Sequence, residues 1–282
     1  MIDARAAGTV HLADRDVPRF GYGAMRLPGP GVWGPPADRD EALAVLRRAV
    51  ELGVRVIDTA WYYGLDVANE LIAAALHPYP EDLVLVTKLG GGRRDDGSWY
   101  PALTDAELRA GCERDLRVLR LDAIPVVHLR WMDQSEVSFA DALGTMLDLR
   151  AEGRIQRIGL SNVTLDQLEQ ALAVTDVATV SNQYGPTRRD DQPVLDRCAD
   201  AGIPYLPFFP LVSGGGIGAD DRLATVAGRH DASPAQVALA WLLQRSPVIL
   251  PIPGTGRVAH LEENLAAAGL RLTGDDLALL DS

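Results

Sequence analysis

Residues 54–88, with the sequence VRVIDTAWYYGLDVANELIAAALHPYPEDLVLVTK, contain two short apolar runs separated by one amphipathic segment. The runs at 54–58 and 83–88 have the length of buried strands, and the apolar spacing of 68–76 between them is typical of a helix. Strands connected through a helix pair in parallel, and parallel strands are buried on both faces. The stretch therefore predicts one strand–helix–strand unit whose strands end at Asp58 and Lys88.

The same alternation continues along the chain. Further strands are predicted at 20–25, 123–128, 155–161, 180–184, 203–208 and 248–252, and further helices at 40–52, 105–119, 139–152, 165–174, 193–201 and 234–244. Several helices have start signals, such as Thr104 before Glu107 and Ser233 before Pro234. Eight strands alternating with helices predict an α/β fold, here a single (β/α)8 TIM barrel spanning residues 1–282.

Two additions to the barrel are predicted at its ends. Residues 1–18 indicate a small β-hairpin with its turn at 13–15, which is expected to cap the bottom of the barrel. Thr273 is the expected N-cap of a short C-terminal tail helix at 275–280. The alternative fold is a doubly wound open sheet, which usually has a glycine-rich turn leading directly into a helix. Here the first strand is followed by a long loop of proline and glycine, so we favour the barrel.

The composition excludes several classes of function. A formal net charge of −12 argues against nucleic-acid binding, which requires a basic surface. No apolar run approaches the roughly 18 residues of a membrane span, and no apolar signal segment follows the N-terminus, so a cytoplasmic location is expected. Cys112 and Cys198 fall within predicted helices, where we expect buried, reduced thiols. No metal site is predicted, and we expect a monomer that acts on a small molecule.

The basic residues are divided unequally between the two types. Of the 27, Lys88 is the single lysine and the others are arginines. In a chain with this bias, a position indifferent to the choice would carry arginine. Lysine differs from arginine in being a compact point charge whose pKa shifts readily. The contrast suggests a chemical role for Lys88.

Polar residues end five successive predicted strands. They are Asp58, Lys88, His128, Ser161 with Asn162, and Gln183. Each has a structural explanation when taken alone, such as a helix cap, a satisfied buried histidine or an Asx turn. The carboxyl ends of parallel barrel strands meet at one face, however, and the catalytic groups of barrel enzymes lie there. The set therefore predicts an active site at that face.

Several motifs, and their order along the chain, resemble those of the aldo-keto reductase family. Residues 58–64, DTAWYYG, resemble its Asp-Thr-Ala-x-x-Tyr-Gly signature, and residues 153–162, GRIQRIGLSN, resemble its second signature. VTK at 86–88, VVH at 126–128, NQY at 182–184, PGT at 253–255 and EN at 263–264 complete the pattern. Within the family, residues 21–25, 29–36, 207–211 and 241–247 look most similar to the pyridoxal reductases, or pyridoxine 4-dehydrogenases.

The resemblance implies an NAD(P)H-dependent oxidoreductase that reduces a small aldehyde or ketone to the alcohol. Pyridoxal is one candidate substrate, and a natural-product ketone or a sugar-derived carbonyl is the alternative. Tyr63 is implied to be the general acid that protonates the carbonyl oxygen. Because the free pKa of tyrosine is about 10, a nearby Lys88 ammonium is expected to lower it. Asp58 would hold Lys88 in place, and His128 would orient the substrate carbonyl.

The resemblance also implies the cofactor, NADPH, with NADH as a second option. Ser161, Asn162 and Gln183 match the residues that bind the nicotinamide carboxamide, and Phe208 matches a position that stacks on the nicotinamide ring. Further cofactor contacts are expected at Met25, Phe209, Leu211, Ser213, Gly254, Thr255, Arg257, His260, Glu263 and Asn264.

Gly254 departs from the family pattern. Many members carry a lysine at this position, and that lysine contacts the adenosine 2′-phosphate. Arg257 is expected to replace it, because an arginine suits bidentate phosphate binding. The substrate pocket is expected to be walled by Trp33, Trp61, Trp99 and Trp131.

Two other functions match parts of the pattern. A barrel lyase that forms a Schiff base through Lys88 needs a lysine of lowered pKa, whereas Asp58 as its partner would raise that pKa. Trapping of a substrate on Lys88 with borohydride would support this alternative. A non-catalytic nucleotide-binding barrel would not need the complete set of Asp58, Tyr63, Lys88 and His128. A failure to turn over many aldehydes would support that second alternative.

Overall fold

The computed structural model describes residues 2–133, 135–208 and 220–282. A short 3-10 helix (Ala4–Ala7) precedes a hairpin of two antiparallel strands, β1 (Thr9–Leu12) and β2 (Arg15–Pro18). Ala13 and Asp14 form its turn with φ of 50° and 66°, the left-handed conformation that a two-residue hairpin turn requires. The predicted hairpin and its turn are confirmed.

The hairpin covers the amino-terminal end of the barrel. Leu12 and Val17 are buried in one cluster with Val56 and Val84, the first residues of two barrel strands. An ion pair between Asp14 and Arg157 adds a polar contact to a third strand. Burial of these apolar side chains closes the barrel bottom, so functional groups are confined to the opposite face.

Parallel strands form the barrel wall. In chain order they are β3 (Tyr22–Gly23), β4 (Val56–Asp58), β5 (Val84–Arg93), β7 (Ile124–Arg130), β8 (Ile155–Ser161) and β9 (Val180–Ser181), and each pairs with the next. One short strand, β6 (Trp99–Ala102), lies off this path and pairs antiparallel with the end of β5. The register places Lys88 opposite His128, so two of the predicted catalytic residues are strand neighbours.

Two further extended segments close the barrel. Tyr205 forms parallel bridges to Val180 of β9 and to Ile249. The Gly21 amide, next to β3, then donates to the Pro251 carbonyl at 2.9 Å. The wall is therefore continuous from the first strand through the last and back to the first. The predicted (β/α)8 barrel is confirmed.

The helices of the described residues alternate with these strands. They are α1 (Arg39–Glu51), α2 (Val67–Leu76), α3 (Asp105–Leu119), α4 (Phe139–Ala151), α5 (Leu165–Leu172), α6 (Gln192–Ala201), α7 (Asp221–His230), α8 (Pro234–Arg245), α9 (Val258–Ala266) and α10 (Gly274–Asp281). Capping boxes at Thr104 and Ser233 begin α3 and α8 as their sequences predict. None of the helices described is both long enough and apolar enough to cross a membrane.

The structure adds elements that the sequence pattern did not reveal. The predicted strand at 83–88 continues to Arg93, because residues 90–93 pair with β6. The glycine run at 90–92 is not typical of a strand, since glycine weakens a strand interior, and the sequence therefore did not reveal this extension. Helices α7 and α9 were also missed. Only Leu223, Val226 and Ala227 are buried in α7, so its apolar periodicity is sparse.

Candidate active site

A cavity of about 620 Å³ opens at the carboxyl ends of the barrel strands, a size typical of small-molecule sites. Its lining among the described residues consists of Gly23, Met25, Arg26, Gly31, Val32, Asp58, Tyr62, Tyr63, Lys88, Trp99, Arg130, Met132, Phe208, Ile252, Pro253 and Gly254. Asp58, Tyr63 and Lys88, three of the four predicted catalytic residues, therefore meet at one cavity.

Asp58 and Lys88 form a buried ion pair at the cavity floor. Each residue is only 3% exposed, and the Lys88 ammonium donates both to Asp58 Oδ1 and to the Thr59 carbonyl at 3.3 Å. Burial raises the pKa of the Asp58 carboxyl, and the adjacent Lys88 charge opposes that shift. Asp58 ends β4, and Lys88 lies on the adjacent parallel strand β5, two residues beyond Val86, the register partner of Asp58, so the barrel register fixes the pair.

Tyr63 lies in the loop that leads from β4 to α2. Its ring centroid is 5.2 Å from Lys88 Nζ, and its ring meets that of Tyr62 edge to face at 5.3 Å. Among the described residues, no side chain or carbonyl forms a hydrogen bond with the Tyr63 hydroxyl. A phenol with this placement is available to a carbonyl oxygen in the cavity.

The pKa of Tyr63 does not shift in the direction expected from the sequence. Burial raises it, the Asp58 carboxylate raises it further, and the Arg130 guanidinium opposes both. The lowering expected from Lys88 is outweighed by burial and by the Asp58 carboxylate. Tyr63 is therefore a protonated phenol across the neutral range. That is the form required of a proton donor.

His128 lies beneath the cavity and is not part of its lining. It is fully buried, and its Nε2 is 2.5 Å from Thr179 Oγ1. Its Nδ1 has no hydrogen-bond partner among the described residues and lies 3.9 Å from Asp58 Oδ2. Burial, followed by the Lys88 charge, holds the pKa of His128 well below its usual value, so the imidazole is neutral.

The space for the His128 ring depends on its neighbour on β8. Gly159 stands opposite His128 in the strand register, and a Cβ there would lie 2.3 Å from His128 Cδ2. Any larger residue would displace the ring. The glycine of the second signature motif thus has a packing explanation within this chain.

A chain of hydrogen bonds supports the catalytic floor from behind. The Thr59 hydroxyl donates to Asn69 Oδ1 at 2.7 Å, and Asn69 Nδ2 donates to Asp115 Oδ1 at 2.7 Å. All three residues are fully buried. Burial raises the pKa of the Asp115 carboxyl to about 7. This group has no sequence signature, because its members are separated along the chain and no motif joins them.

Arg130 was also missed, although its position in the strand could have revealed it. Alternate residues of a strand point to the same side of a sheet. Arg130 is two residues beyond His128 on β7, and it reaches the cavity wall. Tyr62, next to Tyr63 in the chain, also lines the cavity.

The residues predicted to bind the carboxamide lie at the ends of β8 and β9. Ser161 Oγ is buried without a hydrogen-bond partner among the described residues. The exposed Asn162 donates from Nδ2 to the Trp131 carbonyl at 2.9 Å, and Gln183 Oε1 accepts from Arg188 at 2.9 Å. Ser161 pairs in register with Arg130, so this group adjoins the cavity wall.

A second cavity of about 640 Å³ shares Met25, Arg26, Gly31 and Val32 with the first. Its lining extends past Gly256 and Arg257 to Asp38 and Glu41. The predicted adenosine-side residues divide between the surface and the interior: Arg257, His260 and Glu263 are exposed, whereas Thr255 and Asn264 are 7% exposed. The predicted contacts Phe209, Leu211 and Ser213 lie outside the described residues.

Only one of the four predicted tryptophans lines the main cavity. Trp99, on β6, contributes to the wall. Trp61 is buried beneath the Arg114 guanidinium, and Trp131 packs edge to face on Phe139. Trp33 lies beside Arg93, away from the lining. Tyr62, Phe208 and Met132 supply the apolar wall that was assigned to tryptophan.

A model of the aldo/keto reductase family matches residues 19–282. Over 98% of both chains, the sequence is 46% identical to pyridoxine 4-dehydrogenase of Escherichia coli K12. The chain belongs to the aldo/keto reductase family.

This aldo-keto reductase is also 39% identical to an uncharacterized oxidoreductase of Schizosaccharomyces pombe, over 99% of its own length and 91% of that protein. A crystal structure of an aldo-keto reductase from Klebsiella pneumoniae in complex with NADPH superimposes with a TM-score of 0.81 at 27% identity. The match covers 97% of this chain and 93% of that one. The predictions of family, barrel fold and NAD(P)H-dependent carbonyl reduction are confirmed.

The residues of this aldo-keto reductase fit a nicotinamide nucleotide. Ser161 offers a buried hydroxyl with no partner among the described residues, and Phe208 offers an aromatic face at the cavity. Gly23 and Gly254 expose backbone atoms to the same cavity. A side chain at position 254 would not fit, because its Cβ would lie 2.6 Å from the Gly23 carbonyl oxygen. Within the described residues, no group of three or more His, Cys, Asp or Glu side chains is arranged to hold a metal ion.

Proposed function

We propose that this aldo-keto reductase reduces a small aromatic aldehyde with NADPH, and that pyridoxal is the first substrate to test. The observation that carries the proposal is the buried Asp58–Lys88 pair beside the protonated Tyr63 phenol, at the wall of an aromatic cavity. The identity to an enzyme named pyridoxine 4-dehydrogenase supports the choice of substrate. We propose that residues 1–282 act as one catalytic domain.

Tyr63 acts as the general acid in this proposal. The substrate carbonyl oxygen accepts a hydrogen bond from the Tyr63 hydroxyl, and the bound reduced nicotinamide supplies a hydride to the carbonyl carbon. The proton of Tyr63 then moves to the oxygen, which leaves an alcohol and a phenolate. Lys88, 5.2 Å from the ring centroid, stabilises that phenolate, and Asp58 keeps the ammonium in place.

His128 acts as a positioning residue rather than as a group that touches the substrate. Its neutral imidazole lies below the lining, between Thr179 Oγ1 and the Asp58 carboxylate. From there it supports the orientation of Asp58, and through it that of Lys88. A neutral imidazole in this place adds no charge that would oppose the ammonium.

Cofactor binding is assigned to the opposite side of the cavity. Ser161, Asn162 and Gln183 are the proposed carboxamide ligands, and Phe208 the proposed stacking surface. Arg257 is the proposed 2′-phosphate ligand, because it is exposed on the second cavity and forms no ion pair within the described residues. We propose that the protein works as a cytoplasmic monomer, which its two buried, free cysteines support.

A panel assay tests the proposal directly. The purified protein is given NADPH or NADH with pyridoxal, other aromatic aldehydes, bulky ketones and sugar aldehydes, and the loss of reduced cofactor is followed by absorbance. We expect turnover of pyridoxal with a preference for NADPH. If pyridoxal is inert while a bulky ketone is reduced well, the aromatic-aldehyde assignment is wrong and the family assignment stands.

A further inference from the structure

Arg130 occupies a position that the reaction described above does not use. It ends β7, and its side chain is half-buried at the cavity wall with Tyr63 and Lys88. The carbon at the centre of its guanidinium lies 5.7 Å from the centroid of the Phe208 ring. The group therefore lies beside the proposed nicotinamide surface, in the same cavity as the proposed acid.

Two neighbouring cations have partners within the chain, and a third, Arg26 of the cavity lining, is exposed. Lys88 pairs with Asp58, and Arg93 lies against Trp33 and Trp99, with Nη2 donating to the Gly31 carbonyl. Arg130 is half-buried, and across residues 2–133, 135–208 and 220–282 its guanidinium has neither a hydrogen bond nor an ion pair.

The charge of the lining follows from these pairings. Asp58 is the one carboxylate among the described lining residues, and Lys88 already neutralises it. The Arg130 charge is thus left uncompensated in a chain whose net charge is −12. A partly desolvated cation is unfavourable unless an anion pairs with it, so this wall favours the binding of an anionic group.

The field of Arg130 reaches the reacting groups. The guanidinium opposes the rise in pKa of Asp58, Tyr62 and Tyr63. Because Arg130 and Tyr63 line the same cavity, one small molecule can place an anion at Arg130 and a carbonyl at the Tyr63 hydroxyl. Tyr62, Trp99 and Phe208 line the cavity around them, which favours an aromatic ring between the two groups.

We propose that Arg130 binds an anionic oxygen substituent, either a carboxylate or an ionised phenol hydroxyl, on the ring of an aromatic aldehyde substrate. The proposal rests on the proposed function and narrows its substrate class. The planar guanidinium suits such an oxygen because it can donate two parallel hydrogen bonds. Pyridoxal, whose ring hydroxyl lies beside its aldehyde, belongs to this class.

The test uses substrates matched in shape and different in charge. The three carboxybenzaldehyde isomers are compared with the corresponding nitrobenzaldehydes, in which a neutral nitro group replaces the carboxylate. A second arm compares 3-hydroxypyridine-4-carbaldehyde, which keeps the ring hydroxyl of pyridoxal beside the aldehyde, with pyridine-4-carbaldehyde, which lacks only that hydroxyl, and so separates phenolate from carboxylate. For each aldehyde, kcat/KM of the wild type is divided by kcat/KM of the variant. The intrinsic reactivity of the aldehyde affects both values equally and does not change this ratio.

We expect Arg130→Gln to lower kcat/KM about 10- to 100-fold for at least one anionic substrate, the range of a charge-assisted hydrogen bond, and to change the neutral partner little. Arg130→Lys should restore part of the loss, since it keeps the charge without the planar fork. Arg47→Gln, at an exposed position of α1 outside the cavity lining, gives the same change in net charge and should retain the wild-type ratio.

Each other outcome overturns the inference in a recognisable way. Equal losses on anionic and neutral aldehydes would show that Arg130 acts on Tyr63 or on packing. A matching loss of NADPH affinity, measured by fluorescence titration, would show a cofactor contact. If the wild type reduces both series and Arg130→Gln reduces the anionic aldehydes equally well, the Arg130 inference is wrong and the proposed function stands. Reduction of neither series contradicts the proposed function as well.

Discussion

The catalytic floor of the main cavity and the adenosine side of the second cavity hold their polar groups in opposite ways. On the floor, Asp58 and Lys88 are each 3% exposed and bonded to one another. On the adenosine side, Arg257 and His260 are exposed, and Arg257 has no ion pair within the described residues. The groups proposed for chemistry are thus fixed by the fold, whereas those proposed for cofactor recognition are held loosely in solvent. Substitutions on the floor should affect turnover and stability, and those on the adenosine side only affinity.

The largest effect is expected from Tyr63→Phe. Removal of the hydroxyl eliminates the proton donor, and general acid catalysis contributes about 10²- to 10⁴-fold, so kcat should fall by that factor. NADPH affinity, measured by fluorescence titration, should stay unchanged. Tyr62→Phe is the matched comparison, since both rings line the cavity. A larger loss of kcat in Tyr62→Phe would transfer the acid role to Tyr62.

Lys88→Arg tests whether the floor requires a point charge or only a cation. If Lys88 served only to pair with Asp58, arginine would pair at least as well, and activity would survive. We expect instead a folded, cofactor-binding protein whose kcat falls at least about a hundredfold, because the larger, delocalised cation cannot stabilise the Tyr63 phenolate in the same place. Near-normal turnover, with the fold confirmed by circular dichroism, would falsify the proposed role.

Lys88→Met examines the stability side of the same comparison. It leaves the Asp58 carboxylate buried without its partner, which costs about 3–5 kcal/mol in the free energy of unfolding. Denaturation by urea measures the loss. The double variant with Asp58→Asn should regain part of it, because no buried charge remains. An unchanged free energy of unfolding in Lys88→Met would mean that the floor is hydrated rather than fixed by burial.

The pH dependence of stability should report the buried network behind the floor. Burial raises the pKa of the Asp115 carboxyl from 3.8 to about 7. Between these values the folded protein holds a proton that the unfolded chain has released, so the contribution of Asp115 is present at low pH and lost as the pH rises through 7. The loss amounts to a few kcal/mol, at about 1.4 kcal/mol per pKa unit.

Asp115→Asn isolates this contribution, since asparagine retains the oxygen that accepts from Asn69 and does not titrate. Urea denaturation between pH 4 and pH 8, the approximate window of the shift, should show a smaller decline in stability for the variant. Asp191, whose pKa burial raises to about 6, contributes a decline of the same sign and remains in both proteins. Asp166→Asn, at an exposed carboxylate, serves as control. Identical profiles for wild type and Asp115→Asn would contradict the assignment.

The sequence predicted the floor better than the rest of the site, and the reason is physical. Asp58 and Lys88 each follow a buried apolar run in the sequence, and the barrel topology alone brings the carboxyl sides of such runs together. Packing decided the rest: His128 lies below the cavity against Thr179, and Trp61 and Trp131 are buried elsewhere. Contacts between distant segments of the chain leave no periodic pattern.

The fold shows the same division between local pattern and long-range pairing. The capped helices and the hairpin turn were predicted, because their signals lie within a few residues. The extension of β5 to Arg93 was not predicted, since it depends on pairing with β6. Arg130 lies between these cases: the alternation of β7 places it on the side of His128, but only the structure shows that it lacks a partner among the described residues.

The smallest effect is expected on the adenosine side, from Arg257→Ala. An exposed guanidinium that binds the 2′-phosphate should contribute about tenfold to NADPH affinity, the lower range of a charge-assisted bond, and nothing to NADH affinity. The free energy of unfolding should change by no more than about 0.5 kcal/mol, as is usual for exposed substitutions. Fluorescence titration of both cofactors gives the ratio directly. Equal weakening of NADPH and NADH would reject the 2′-phosphate assignment, and a marked loss of stability would break the contrast with the buried floor.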